Sequence, residues 1–139
     1  RVSRFCIFDQ SSMQTTTLSG GLQDLSVDIF EKDQACNLKI IEPTLKNLAL
    51  VIEVLGYDLH IKAPALECLY FRGHLSKNIM LEHMPNLIKA SLDTTKAYLS
   101  DDIEDYGNRV WAFIKALYNV KSLHFYTHIS EVKHVFHGL

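Results

Sequence analysis

Apolar residues in this chain come in short bursts separated by polar stretches, and three bursts share one form. Pro43-Thr-Leu45-Lys-Asn-Leu48-Ala-Leu50, Pro64-Ala-Leu66-Glu-Cys-Leu69-Tyr-Phe71 and Pro85-Asn-Leu87-Ile-Lys-Ala90-Ser-Leu92 all read P-x-L-x-x-L-x-L, with Phe71 and Ala90 the only departures. Leu45, Leu66 and Leu87 are spaced by 21 residues, twice in succession. In the closing L-x-L, period-2 alternation puts both leucines on one face of a strand and the residue between them on the other. A strand this short cannot bury its apolar face alone.

Stacked on copies of itself, such a unit forms a parallel sheet with a continuous core behind it. A period in this range with L-x-x-L-x-L at its centre is the leucine-rich-repeat signature. The expected fold is therefore α/β: a leucine-rich-repeat solenoid with a short-stranded parallel sheet. Each proline suits a turn entering the strand, where no ladder N–H is needed.

The remaining chain extends the pattern. Val2, Phe5 and Ile7 have the same spacing, and Leu22, Leu25 and Val27 repeat it after a polar linker ending in Ser19-Gly20-Gly21. Leu38-Lys-Ile40 precedes Pro43, and Leu59-His-Ile61 precedes Pro64 at the same offset. Each predicts a second short strand per repeat, so the convex side should be mostly β or irregular. Ile79-Met80-Leu81 is a third copy without strict alternation. The sixth unit, Val120-Lys-Ser-Leu123-His-Phe125, lies further beyond Leu87 than the regular period allows, so this interval carries an insertion. Within the insertion Ile103, Tyr106, Val110, Trp111, Ile114, Leu117 and Tyr118 follow a helical period. This predicts a helix over about 101–118, firmest at 105–118, capped by Ser100 and packing a Trp111/Ile114 face on the convex side. Asp101, Asp102, Glu104 and Asp105 at its start complement the helix dipole.

Composition narrows the class. The 139 residues suffice for one domain, read as a single repeat region of about six units over 1–139. The chain opens on Arg1 rather than Met, which reads as a fragment. Hydrophobic residues at 47% and charged residues at 22% argue for a globular chain. A net charge of −2 offers no basic excess for nucleic acid or an anionic membrane surface. Apolar runs are far shorter than a membrane span, and no signal or transit segment is visible. Cys6, Cys36 and Cys68 are an odd set without C-x-x-C pairing, which fits reduced thiols and a cytoplasmic or nuclear setting.

Candidate chemistry is sparse. Seven histidines raise metal binding, but none sits with Cys or carboxylate at zinc spacing, so no metal or other cofactor is expected. Cys68 and His83 carry no mark of a nucleophile and its base, and no phosphate loop or nucleophile elbow is present. The chain reads as a non-enzyme. The residues between the apolar positions instead define three columns on the concave face. The first is Arg4, Asp24, Asn47, Cys68, Lys89 and Ser122; the second Cys6, Ser26, Ala49, Tyr70, Ser91 and His124; the third Phe8, Asp28, Val51, Arg72, Asp93 and Tyr126. Among these, Tyr70, Arg72, Lys89, Asp93, His124 and Tyr126 form the candidate partner-binding set, since exposed aromatic and arginine side chains are common interface anchors. The alternative is that Tyr70 and Tyr126 only cover neighbouring strands.

Asn37-Leu-Lys-Ile-Ile-Glu-Pro-Thr-Leu-Lys-Asn-Leu48, Ile61-Lys-Ala-Pro-Ala-Leu-Glu-Cys-Leu-Tyr70 and Leu117-Tyr-Asn-Val-Lys-Ser-Leu123 resemble the repeat region of plant F-box/leucine-rich-repeat proteins of the FBD type. The likeness runs from about Asn37 to Phe125. It implies a substrate-recognition segment of an SCF-type ubiquitin ligase, with a protein substrate as partner. Skp-type adaptor and cullin would be reached only through an F-box, and no F-box is present in this sequence. The rival expectation is a stand-alone repeat scaffold or inhibitor without ubiquitin-ligase chemistry.

Overall fold

Every predicted L-x-L pair lies in a strand. The computed structural model describes residues 2–7, 21–30, 37–54, 56–94 and 103–127. In chain order the elements are β1 (Val2–Ile7), β2 (Asp24–Ile29), β3 (Asn37–Ile41), β4 (Asn47–Ile52) and β5 (Asp58–Lys62). There follow β6 (Cys68–Gly73), β7 (Asn78–Leu81), β8 (Lys89–Thr94), α1 (Ile103–Ala116) and β9 (Ser122–Thr127). Among the described residues, one sheet has six strands in the order β1-β2-β4-β6-β8-β9 and a second has three in the order β3-β5-β7. All pairings are parallel. The chain thus winds between two facing sheets as a solenoid of about three turns, with one helix.

Register follows the regular period: Asn47 pairs with Cys68 and Cys68 with Lys89. The long step from β8 to β9 is absorbed without loss of register, since Lys89 pairs with Ser122. At β1 the structure departs from the expected columns. Val2, not Arg4, pairs with Asp24, and Arg4 pairs with Ser26 rather than with Asp24. A slide of this kind, by one full alternation, keeps every side chain on its face, so apolar alternation does not distinguish the two registers. The observed one pairs every residue of β1 with β2 and sets Ile7 beside Ile29. Phe8, assigned to the third column, lies outside the described residues.

Turns between the sheets repeat as closely as the strands. The Leu45, Leu66, Leu87 and Val120 amides donate to the carbonyls of Glu42, Ala63, Met84 and Leu117 at 3.0–3.4 Å. Pro43, Pro64 and Pro85 occupy the second position of these turns, where a fixed φ is an advantage; Tyr118 stands there in the fourth. One residue further on, each coil docks on the coil before it. The Gln23, Lys46, Glu67 and Ile88 carbonyls each accept two successive amides of the next coil, at 2.8–3.1 Å.

Between the sheets lies one apolar core. Leu48, Leu50, Ile52, Leu69, Phe71 and Leu92 from the front meet Leu38, Ile40, Leu59 and Ile61 from the back, and all are buried. Alternation also survives in β7, where Ile79 and Leu81 pack inward and Met80 points out, 59% exposed. A charged residue interrupts one apolar column. Glu42 occupies the turn position that Ala63, Met84 and Leu117 fill elsewhere, and all four are buried. Glu42 Oε1 is 3.0 Å from Thr44 Oγ1, which also donates to the Leu22 carbonyl, while Glu42 Oε2 meets no partner among the described residues. Such an unsatisfied group costs about 1–3 kcal/mol or more.

Helix α1 replaces the fourth back strand and packs beside β7. Acidic Glu104 and Asp105 in its first turn and Lys115 in its last suit its dipole. Asp101, Asp102 and the proposed cap Ser100 lie outside the described residues. Its buried stripe is Tyr106, Val110, Phe113 and Ile114, continued by Leu117 just past its end. The expectation that Trp111 packs inward with Ile114 is wrong: Trp111 is 39% exposed. At ~100° per residue, Phe113 falls within ~20° of Tyr106 and Trp111 about 140° away, beyond the stripe. Phe113 takes the anchoring role, its ring 5.4 Å from Phe71 at 53°. The helix ends at Ala116 rather than at the expected Tyr118, which is 71% exposed and stacks on His83. The Arg109 guanidinium donates to the Leu75 carbonyl at 2.9 Å, and the Tyr106 hydroxyl to Thr94 Oγ1. No helix among the described residues is long and apolar enough to cross a membrane.

Two stability outcomes follow. Phe113→Ala should cost about 3–5 kcal/mol in urea unfolding and Trp111→Ala less than half of that; equal costs would mean the anchoring face is misassigned. Gly73 ends β6 at φ +127°, and a Cβ there would lie 1.9 Å from the Ile52 carbonyl oxygen, which already accepts the His74 amide at 3.0 Å. Gly73→Ala should therefore destabilise the fold by at least about 1–3 kcal/mol, read as a fall in melting temperature.

Candidate binding surface

The inward residues of β4, β6, β8 and β9 leave their neighbours on the opposite, outward face, the one expected to be concave. Strand register arranges these in rows that cross the sheet. One row is Asp24, Asn47, Cys68, Lys89 and Ser122; the next Ser26, Ala49, Tyr70, Ser91 and His124; the third Asp28, Val51, Arg72, Asp93 and Tyr126. The six candidate residues sit on three adjacent strands: Tyr70 and Arg72 on β6, Lys89 and Asp93 on β8, His124 and Tyr126 on β9. Four of them, Tyr70, Lys89, His124 and Tyr126, line a depression of about 490 Å³. This falls within the usual size range of ligand-binding clefts, ~300–1,000 Å³.

Arg72 and Asp93 are register partners in the third row, beside the depression rather than in its lining. The depression also takes Cys68, Leu69 and Ser91, which lie outside the candidate partner-binding set. Their signal is positional: Cys68 and Ser91 are small residues flanked in their rows by long ones. Tyr70 is 38% and Tyr126 57% exposed. Much of each ring therefore remains open to solvent above its neighbours.

Charges of both signs lie along the sheet, with Asp93 on the same strand as Lys89 and across from Arg72. Asp24 and Asp28 lie on β2, and Asn47 Nδ2 donates to Asp24 Oδ1 at 2.6 Å. Arg72 and Lys89 lie on β6 and β8, both exposed. His124 Nε2 stands 3.5 Å from Ser122 Oγ, on the same face of β9.

The other sites considered are not brought together. His83 faces Tyr118, with Nδ1 3.4 Å from the phenol oxygen, while Cys68 lines the concave depression. His60 pairs with Glu82 at 2.5 Å between neighbouring back coils. Among the described residues no three His, Cys, Asp or Glu side chains converge to hold a metal ion; His128, His134 and His137 lie outside them. The arrangement is a shaped, partly aromatic surface with Lys89 and His124 among its lining residues. No protein-family model, curated protein or solved structure matches the chain.

Each alanine substitution at Tyr70, Arg72, Lys89 or His124 should change stability by less than about 0.5 kcal/mol, as for other exposed positions. Alanine at Leu48, Leu50, Leu69 or Leu92, on the opposite face of the same strands, should cost about 2–5 kcal/mol each. Thermal melts of the two sets check the assignment of faces; overlapping costs would refute it.

Proposed function

We propose that this solenoid is a leucine-rich-repeat protein-binding segment that holds the substrate of an SCF-type ubiquitin ligase, as the resemblance to plant F-box proteins of the FBD type implies. The observation that carries the binding role is the exposed cluster of Tyr70, Lys89, His124 and Tyr126 around one depression on the concave sheet. A short-stranded parallel sheet supplies a rigid, extended surface for this purpose. Aromatic and cationic side chains are the residue types that most often dominate interface energies. The ubiquitin-ligase role rests on the three sequence phrases alone. In this reading Skp-type adaptor and cullin are engaged through an F-box, and none of these residues contacts them.

The test has two arms. Proximity labelling with the full-length gene product in its native tissue identifies the bound protein, and capture of that protein is then assayed with purified variants. Tyr70→Ala combined with Arg72→Ala should weaken capture by about tenfold or more while the melting temperature holds. Intact capture in a folded double variant would place recognition elsewhere than the concave face. Purified residues 1–139 should not retain Skp-type adaptor; stoichiometric retention would overturn the assignment of adaptor binding to an F-box outside these repeats.

A further inference from the structure

The concave depression has a shape that its row register explains. In the second row Tyr70 and His124 stand two strands apart, and the residue between them is Ser91. Adjacent strands are ~4.8 Å apart, so the two rings rise about 9–10 Å from each other over a short side chain. A planar group in contact with both walls needs two gaps of ~3.5–4 Å, about 7–8 Å in all. The slot therefore admits one flat side chain.

Along β8, Lys89 is two residues from Ser91 and on the same face, which sets its Cα about 6.6 Å from the slot floor. An extended peptide repeats its own same-face side chains at this interval. A chain laid along β8 with an aromatic ring over Ser91 thus brings the side chain two residues away over Lys89. Arg72, on the neighbouring strand, stands at the other end of the slot across from Asp93, so the cation that favours an acidic group there is Lys89.

We infer that the depression recognises an extended, acidic peptide segment in which an aromatic residue and a carboxylate stand two positions apart. The aromatic ring enters between Tyr70 and His124 over Ser91, and the carboxylate meets Lys89. Tyr126 closes the side of the slot toward the third row. This deepens the concave-face reading above and rests on it.

The probe is Gly-Glu-Ser-Trp-Ser-Gly-amide with fluorescein on its N-terminal amine, with the reversed order Gly-Ser-Trp-Ser-Glu-Gly-amide, labelled likewise, as a second arm, titrated by fluorescence polarisation against the whole chain. At least one order should bind, and more weakly as salt rises, because an exposed ion pair is screened. Replacing Trp by Ala or Glu by Gln in the peptide should each weaken binding severalfold. Ser91→Leu fills the slot and should weaken binding about tenfold; Lys89→Glu should do the same and should bind a Lys-containing peptide better than the Glu one. Melting curves of both variants should match the parent, since both side chains lie on the face away from the core.

Absence of binding by either peptide at millimolar concentration would overturn the inference, as would indifference to the Glu-to-Gln change or to Ser91→Leu. The labelled partner separates this outcome from failure of the broader reading. Capture that survives Ser91→Leu and Lys89→Glu but is lost in the Tyr70/Arg72 double variant would leave concave recognition standing and remove the slot. Capture that survives all of them would remove both.

Discussion

In-register parallel stacking is the constraint on which the rest of this molecule depends. Each front strand finds backbone partners only on the strands of the coils beside it, so every coil must present its inward side chains at the same height as its neighbours. Leu48, Leu69 and Ala90 share one rung, and Leu50, Phe71 and Leu92 the next. Any coil that slipped by one residue would drive these into solvent and their polar neighbours into the core. The doubly used carbonyls of Gln23, Lys46, Glu67 and Ile88 add a second lock at the strand entry, independent of side-chain identity. Side chains can therefore vary within a rung as long as they stay apolar, and Ala90 and Phe71 show the range.

Where the chain departs from the repeat, the departure is accommodated on the back. The long interval between β8 and β9 leaves the front register intact, because α1 occupies the place of a back strand and ends in the same turn, Leu117 to Val120. Covering β7 with a helix also closes that edge of the back sheet, which would otherwise offer unpaired backbone groups. The Phe71–Phe113 contact joins helix to core through one aromatic pair. Glu42 and Gly73 are departures of another kind. Glu42 sets a carboxylate in an otherwise apolar column, and Gly73 allows an approach to the Ile52 carbonyl that no side chain permits.

The concave face uses the freedom that the core lacks. Its rows need only tolerate solvent, so adjacent coils can carry residues of very different size and charge. A small residue between two large ones makes a depression, and a lysine two positions along the same strand gives it a charged end. Tyr70, Ser91, His124 and Lys89 form one such arrangement without disturbing any buried rung. Stability thus rests on one face of these strands and the proposed recognition on the other.

Local repetition by itself determined the front strands, the second strand per coil, the proline turns and the order of pairing, because each recurs at one spacing and one face. It also assigned Tyr70, Arg72, Lys89, Asp93, His124 and Tyr126 to one face of three neighbouring strands, since alternation and period suffice for that. Three matters depended on tertiary structure. The β1 register was one, because a slide by one full alternation leaves every face unchanged and only the complete pairing with β2 selects between the choices. The buried face of α1 was another: Trp111 and Phe113 are both apolar, and the position of β7 and Phe71 decides which of them is enclosed. The depression was the third. Alternation assigns Cys68 and Ser91 to the outward columns, but they line a depression only when stacking sets them beside larger side chains from strands distant along the chain.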